Sequence, residues 1–93
     1  MTTYAILRRR RWEDGEAWAD ASARSVSEVE HGSHDLAWIR SYVLEECDGS
    51  VGTVCIYEAV SPEAVRRHAA AAEIPVDEIV RITETLVVRP EPL

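Results

Sequence analysis

Hydrophobic positions along this 93-residue chain change period several times, and each change marks an element. Tyr4-Ala5-Ile6-Leu7 opens a strand that runs into four consecutive arginines, and Trp12 closes it before Glu13-Asp14-Gly15 breaks the pattern. From Glu16 to about Glu30, Trp18, Val26 and Val29 fall on one helical stripe with Ala21 and Ser22 between them; Asp14 is the expected N-cap and Gly32 the expected stop. Leu36 to Glu45 and Val51 to Ala59 read as strands. Between them Glu46-Cys47-Asp48-Gly49-Ser50 carries an Asp-Gly pair suited to a tight hairpin. Ser61-Pro62-Glu63 supplies a cap, a first-turn proline and a first-turn acid. The helix it starts is expected to run to about Glu73, with Val65, Ala69 and Ala72 inward, until Ile74-Pro75 ends it. After a turn at Val76-Asp77-Glu78-Ile79, a last strand is expected from about Val80 to Val88, stopped by Pro90 and Pro92.

The order strand, helix, strand, strand, helix, strand predicts an α+β fold of the ferredoxin-like βαββαβ layout. That layout is a four-stranded antiparallel sheet with two helices on one face, here in a single domain spanning residues 1–93. A chain this short has no room for a second core, so a large pocket has to be shared with a second copy, as in dimeric α/β-barrels.

Splitting each strand by alternation gives two faces. Leu7, Ile39, Val43, Val54, Ile56, Ile82, Leu86 and Val88 are expected beneath the helices. Arg8, Arg10, Trp38, Arg40, Tyr42, Cys55, Tyr57, Thr83 and Thr85 are expected on the open face. A face mixing aromatics, arginines and hydroxyls suits either a shared ligand cavity or a plain dimer interface. Arg10, Trp38, Arg40, Tyr42, Cys55 and Tyr57 are its candidate ligand-binding residues.

Charge and composition narrow the functional classes. The net charge of −7 argues against nucleic acid as a partner, because phosphate contacts draw on a basic surface. No apolar run is long enough to span a bilayer, and the N-terminus lacks a signal-peptide pattern, which makes the cytoplasm the expected compartment. Cys47 and Cys55 have no zinc-ligand spacing and are expected as free thiols, Cys55 as a small buried hydrophobe. The glycines follow no phosphate-loop or dinucleotide spacing, so no nucleotide cofactor is expected, and no serine sits in a nucleophile elbow.

Four features carry possible chemistry. Strand alternation divides the run Arg8 to Arg11 between faces, where the guanidinium groups either clamp an anion or pair with surface acids. His68, three residues after Val65 and four after Ala64, borders the buried stripe of its helix; it is either a metal ligand or proton carrier, or a hydrogen-bonded structural histidine. Glu58, expected on the helix-covered side of its strand, either ligates or serves the structure. His31 and His34, followed by Asp35, have a spacing that gathers a metal only in a helix, and Gly32 opposes one.

The segments Trp38-Ile39-Arg40-Ser41-Tyr42-Val43, Val54-Cys55-Ile56-Tyr57-Glu58-Ala59, Glu63-Ala64-Val65-Arg66-Arg67-His68-Ala69 and Ile74-Pro75 occur in that order. Together they resemble the domain-of-unknown-function 4242 family. The likeness extends to about Val80 and, more loosely, to an Arg-x-aromatic pattern at Arg10 and Trp12. The resemblance implies a ferredoxin-like fold, a homodimer and, for at least one member, nickel binding, without a settled reaction. His68, Glu58, Tyr42 and Tyr57 occupy motif positions; imidazole and carboxylate suit Ni2+ best, making His68 and Glu58 the candidate metal ligands.

Two functions follow. One is a dimeric cytoplasmic binding protein holding a divalent transition metal such as nickel, or a small ligand. The other is a cofactor-independent isomerase, cyclase or oxygenase of the dimeric α/β-barrel type, acting on an aromatic or polyketide-like substrate. There Arg10 or Arg40 would bind an anionic group, Tyr42 or Tyr57 would donate a hydrogen bond, and His68 would be the base. That second reading requires His68 to reach the open-face cavity.

Overall fold

The structure, a computed structural model, describes residues 1–31 and 35–90, apart from the side chains of Glu30 and His31. Gly32 and His34 lie outside the described residues. The elements are β1 (Thr2–Trp12), α1 (Gly15–His31), β2 (Leu36–Glu45), β3 (Val51–Ala59), α2 (Pro62–Ala71) and β4 (Glu78–Arg81). The strands pair antiparallel in the order β2-β3-β1-β4, the ferredoxin-like α+β arrangement that the element order predicts.

Local chemistry sets the boundaries. Asp14 Oδ1 accepts from the Ala17 amide at 2.9 Å, capping α1, and Ser61 Oγ accepts from the Ala64 amide at 3.2 Å, capping α2. The end of α2 is a Schellman turn: the Glu73 amide donates to the Ala70 carbonyl at 3.1 Å and the Ile74 amide to the Ala69 carbonyl at 2.9 Å. This geometry places Glu73 at φ 58°, a conformation glycine adopts without steric cost. Glu73→Gly is therefore expected to raise stability by about 0.5–1 kcal/mol, measured by thermal or urea unfolding. In the β2–β3 hairpin, Gly49 at φ 87° donates to the Glu46 carbonyl while the Glu46 amide donates to Ser50, both at 3.0 Å.

The sheet faces are the reverse of the sequence expectation. Tyr4, Ile6, Cys55, Tyr57 and Ala59 are buried against Ala64 and Val65 of α2, with Trp18 of α1 packed alongside. Arg8 is also buried on this side, and Trp38 stacks on Tyr57. Leu7, Val54 and Ile56, expected in the core, alternate onto the open face, and Ile39 sits at a bulge in β2 with 48% of its surface exposed. Val43, although opposite Thr53, remains 53% exposed at the edge of the sheet.

Side-chain size explains the inversion. The inward helix faces are built largely of alanine (Ala21, Ala64, Ala69, Ala72), which leaves space that only large strand residues fill. Aromatic bodies with polar tips occupy it because those tips find hydrogen-bond partners inside.

The last strand is also shorter than expected. The register sets Arg81 opposite Tyr4, and the Ile82 amide donates to the Thr3 carbonyl at 2.9 Å. Beyond that point β1 has almost no backbone left to pair with. Thr83 and Thr85 thus lie outside the sheet, and Leu86 and Val88 are 86% and 87% exposed instead of lying in the core.

Candidate functional site

Polar side-chain tips run through the helix-covered layer in two connected groups. In the first, His68 of α2 meets Ser25 of α1 through Nε2 and Oγ at 2.9 Å, and the same Oγ lies 3.2 Å from Tyr57 Oη of β3. The Tyr57 ring stacks with Trp38, centroids 5.8 Å apart, and meets the His68 ring at a tilt, 5.7 Å away. In the second, Trp38 Nε1 donates to Ser41 Oγ at 2.8 Å, and Ser41 donates to Cys55 Sγ at 3.0 Å. Arg8, 2% exposed, donates through Nε to the Pro75 carbonyl at 2.6 Å and through Nη1 to Cys55 Sγ at 3.4 Å. Cys47 and Cys55 are both free thiols, and Cys55 is buried.

A cavity of about 160 Å³ opens beside the first group, between α1, α2 and the start of β2. His68, Glu28, Asp35 and Arg67 supply its polar lining, and Leu36, Ala64 and Ala71 its apolar lining. Arg67 reaches Asp35 at 3.5 Å. Burial pushes the His68 imidazole below its ordinary value; the Glu28 carboxylate opposes this and the Arg8 guanidinium adds to it. Burial likewise raises the Tyr57 phenol, against its hydrogen bond to Ser25.

The depressed His68 value has a thermodynamic consequence. An unfolded chain protonates this ring near the ordinary 6.5, before the folded chain does, so the unfolded state binds more protons as pH falls. The contribution of the neutral ring to stability is complete above the unfolded value and is lost as pH drops through the folded one. Wild type is expected to lose more stability than His68→Gln between roughly pH 7.5 and 5.5, measured by urea unfolding across that window.

The sequence-derived site residues divide between two faces. Trp38, Cys55, Tyr57 and His68 lie on the helix side, whereas Arg40 and Tyr42 lie on the open side, with Arg40 Nη1 donating to Tyr42 Oη at 3.5 Å. Arg10 sits on a β1 bulge at φ 54°, 3.9 Å from Asp48. Glu58 is exposed opposite Thr3 and Ala37, on the open face and not on the helix side as expected. Within one chain the sheet separates it from His68, so the two do not share an ion.

His68 is likewise separated from Arg40 and Tyr42 by the sheet, so it does not reach the open-face cavity where the enzymatic reading needed it as the base. The arginine run resolves toward pairing with acids: Arg9 clasps Glu46 through two 2.8 Å bonds, and Arg11 pairs with Asp77. Glu28 and Asp35 were not singled out from the sequence as partners of His68. The heptad-like spacing from Ala21 to Glu28 along α1 places Glu28 one helical turn beyond Ser25, the signal that points to it.

On the open face a groove of about 1130 Å³ runs between the sheet and the segment after β4, lined by Ile39, Arg40, Tyr42, Ile56, Ile82 and Leu86 among others. Among the described residues no group of three or more His, Cys, Asp or Glu side chains is assembled to hold a metal ion, and no helix is long and apolar enough to cross a membrane.

Residues 4–82 match the family model described as nickel responsive protein SCO4226-like. The chain belongs to this family. The SCO4226-like fold is seen in the crystal structure of SCO4226 from Streptomyces coelicolor A3(2), which superposes with a TM-score of 0.72 at 16% identity, covering 90% of this chain and 99% of that one. Nothing among curated proteins matches the chain significantly. At that identity the crystal structure supports the fold alone, and the family name ties the fold to a nickel response.

Proposed function

We propose that this SCO4226-like protein is a non-enzymatic, nickel-responsive binding protein, and that the His68 cavity is where it takes up a divalent transition metal. The observation that carries the reading is the meeting of one imidazole and two carboxylates, Glu28 and Asp35, at a single small cavity in a chain of this family. Imidazole nitrogen and carboxylate oxygen are donors that suit Ni2+. Their chemistry fits the ion, but their present spacing does not form a closed site. Binding therefore has to draw the donors together, with water completing the shell. The metal's role here is that of a bound signal or cargo.

The reading includes a cytoplasmic homodimer. Ile39, Tyr42 and Val80 leave 48%, 40% and 43% of their surface exposed on or beside the open sheet face, and Leu86 to Val88 are more exposed still. Apolar area of this extent suits burial against a second copy. A dimer of this kind would turn the open-face groove, with Arg40 and Tyr42, into a shared cavity for a small ligand.

Calorimetric titration of metal-stripped protein with Ni2+ tests the proposal, with light scattering run in parallel. Stoichiometric binding that falls at least tenfold in a folded His68→Gln variant is expected, from a particle of two chains. No binding by wild type, or equal binding by the variant, overturns the assignment to His68.

A further inference from the structure

We infer that Ser25, itself accepting from Tyr57, holds His68 with its proton on Nδ1, so that the ring offers an N–H in place of a lone pair, and that metal reaches His68 only when this hydrogen-bond chain reverses. The second half rests on the nickel reading above; the first half stands without it.

Each buried donor proton along this chain of contacts needs an acceptor. Tyr57 is 2% exposed, and among the described residues its hydroxyl has one partner, Ser25 Oγ at 3.2 Å. A buried hydroxyl proton without an acceptor is costly, so Tyr57 donates to Ser25. Ser25 is itself 2% exposed, and among the described residues its own proton has one remaining partner, His68 Nε2 at 2.9 Å. Nε2 is then an acceptor. In a neutral imidazole with Nε2 accepting, the proton sits on Nδ1. With Nε2 engaged by Ser25, Nδ1 is the ring nitrogen left to serve the cavity that His68 lines.

Burial and the Arg8 guanidinium both favour the neutral ring over the doubly protonated one, while Glu28 across the cavity opposes them. Arg67, one residue earlier on α2 and paired with Asp35, adds a second positive charge at the cavity.

To present a lone pair at Nδ1, the ring must move its proton to Nε2, which then donates to Ser25 Oγ. Ser25 Oγ then accepts from Nε2, and its own proton has no acceptor left except Tyr57 Oη among the described residues. The proton lost from Nδ1 is matched by the one gained at Nε2, so nothing is consumed, but one buried hydroxyl proton, that of Ser25 or that of Tyr57, is left with no acceptor among the described residues. Ser25 is thus a positioning residue that biases the imidazole against a metal, with Tyr57 occupying its acceptor side.

Long-range 1H–15N correlation NMR of metal-free protein labelled at histidine reads the tautomer directly. At neutral pH, His68 in wild type is expected to show a protonated Nδ1 and an unprotonated Nε2. In folded Ser25→Ala, where no hydroxyl donates to Nε2, the proton is expected to shift at least partly to Nε2, and Ni2+ to bind roughly fivefold or more tightly, the lower end of what a stranded buried hydroxyl implies. Tyr57→Phe, which leaves the Ser25 proton with the same acceptor, is expected to keep the wild-type tautomer.

A proton on Nε2 in wild type overturns the chain, and an unchanged tautomer in Ser25→Ala overturns the directing role of Ser25. A shifted tautomer with unchanged Ni2+ affinity overturns the link to metal uptake. If Nδ1 carries the proton and no variant binds Ni2+, the chain stands and the nickel reading falls.

Discussion

Truncating Tyr57 to alanine is expected to cost about 3–5 kcal/mol, a large share of the roughly 5–15 kcal/mol available to a domain of this size. Tyr57 is 2% exposed and belongs to the central strand pair, with Trp38 stacked on its ring and the His68 ring tilted against it. Removing the ring takes out the part of the sheet that reaches both helices, through Ser25 of α1 and His68 of α2. The neighbouring helix residues Ala64 and Val65 are too small to fill the hole. Urea unfolding followed by Trp fluorescence measures the loss. Tyr57→Phe, which keeps the ring, is expected to lose only about 0.5–1.5 kcal/mol, separating packing from the hydroxyl.

Gly52→Ala is expected to destabilise by about 2–3 kcal/mol although it adds one methyl group. A Cβ at this position would lie 2.6 Å from the Arg8 carbonyl oxygen, 2.6 Å from Glu46 Oε2 and 3.3 Å from the Arg10 amide nitrogen. Two of these neighbours are backbone. The third is a carboxylate already fixed by bonds from Arg9 Nε and Nη2 and from the Arg10 amide. Relieving the clash means moving the β1 bulge and breaking the grip of Glu46 on it, and Arg9 holds that carboxylate below its usual range. Gly15→Ala is the control, since nothing lies within 4 Å of its added Cβ, and it is expected to leave the unfolding midpoint nearly unchanged.

Element order, both helix caps and the hairpin were legible from the sequence because each rests on local chemistry. Asp14, Ser61-Pro62-Glu63 and Asp48-Gly49 act over a few residues whatever the rest of the chain does. The faces were not legible. β3 is apolar on both sides, with Val54 and Ile56 on one and Cys55, Tyr57 and Ala59 on the other, so alternation alone does not say which side the helices cover. The alanines at 21, 64, 69 and 72 held that information: small helix residues require large strand residues opposite.

The end of β4 depended on register, since β1 runs out of partners near Thr3 while the Val/Leu-rich pattern continues to Val88. His68 was found by its position on the stripe. Its companions were not, because Ser25, Glu28 and Asp35 come from other parts of the chain and meet it only through helix packing. The pairing of His68 with Glu58 failed for the same reason as the faces: one inverted strand carries Glu58 to the far side of the sheet.

The most direct test of the site is the location of bound nickel. Titrating Ni2+ into 15N-labelled protein and following paramagnetic broadening of amide signals is expected to erase first the resonances around His68, Glu28 and Leu36, leaving Tyr42, Ile56 and Val80 on the open face sharp at low metal ratios. Broadening centred on Glu58 and the open face, or absent throughout, would contradict the assignment of the metal to the His68 cavity.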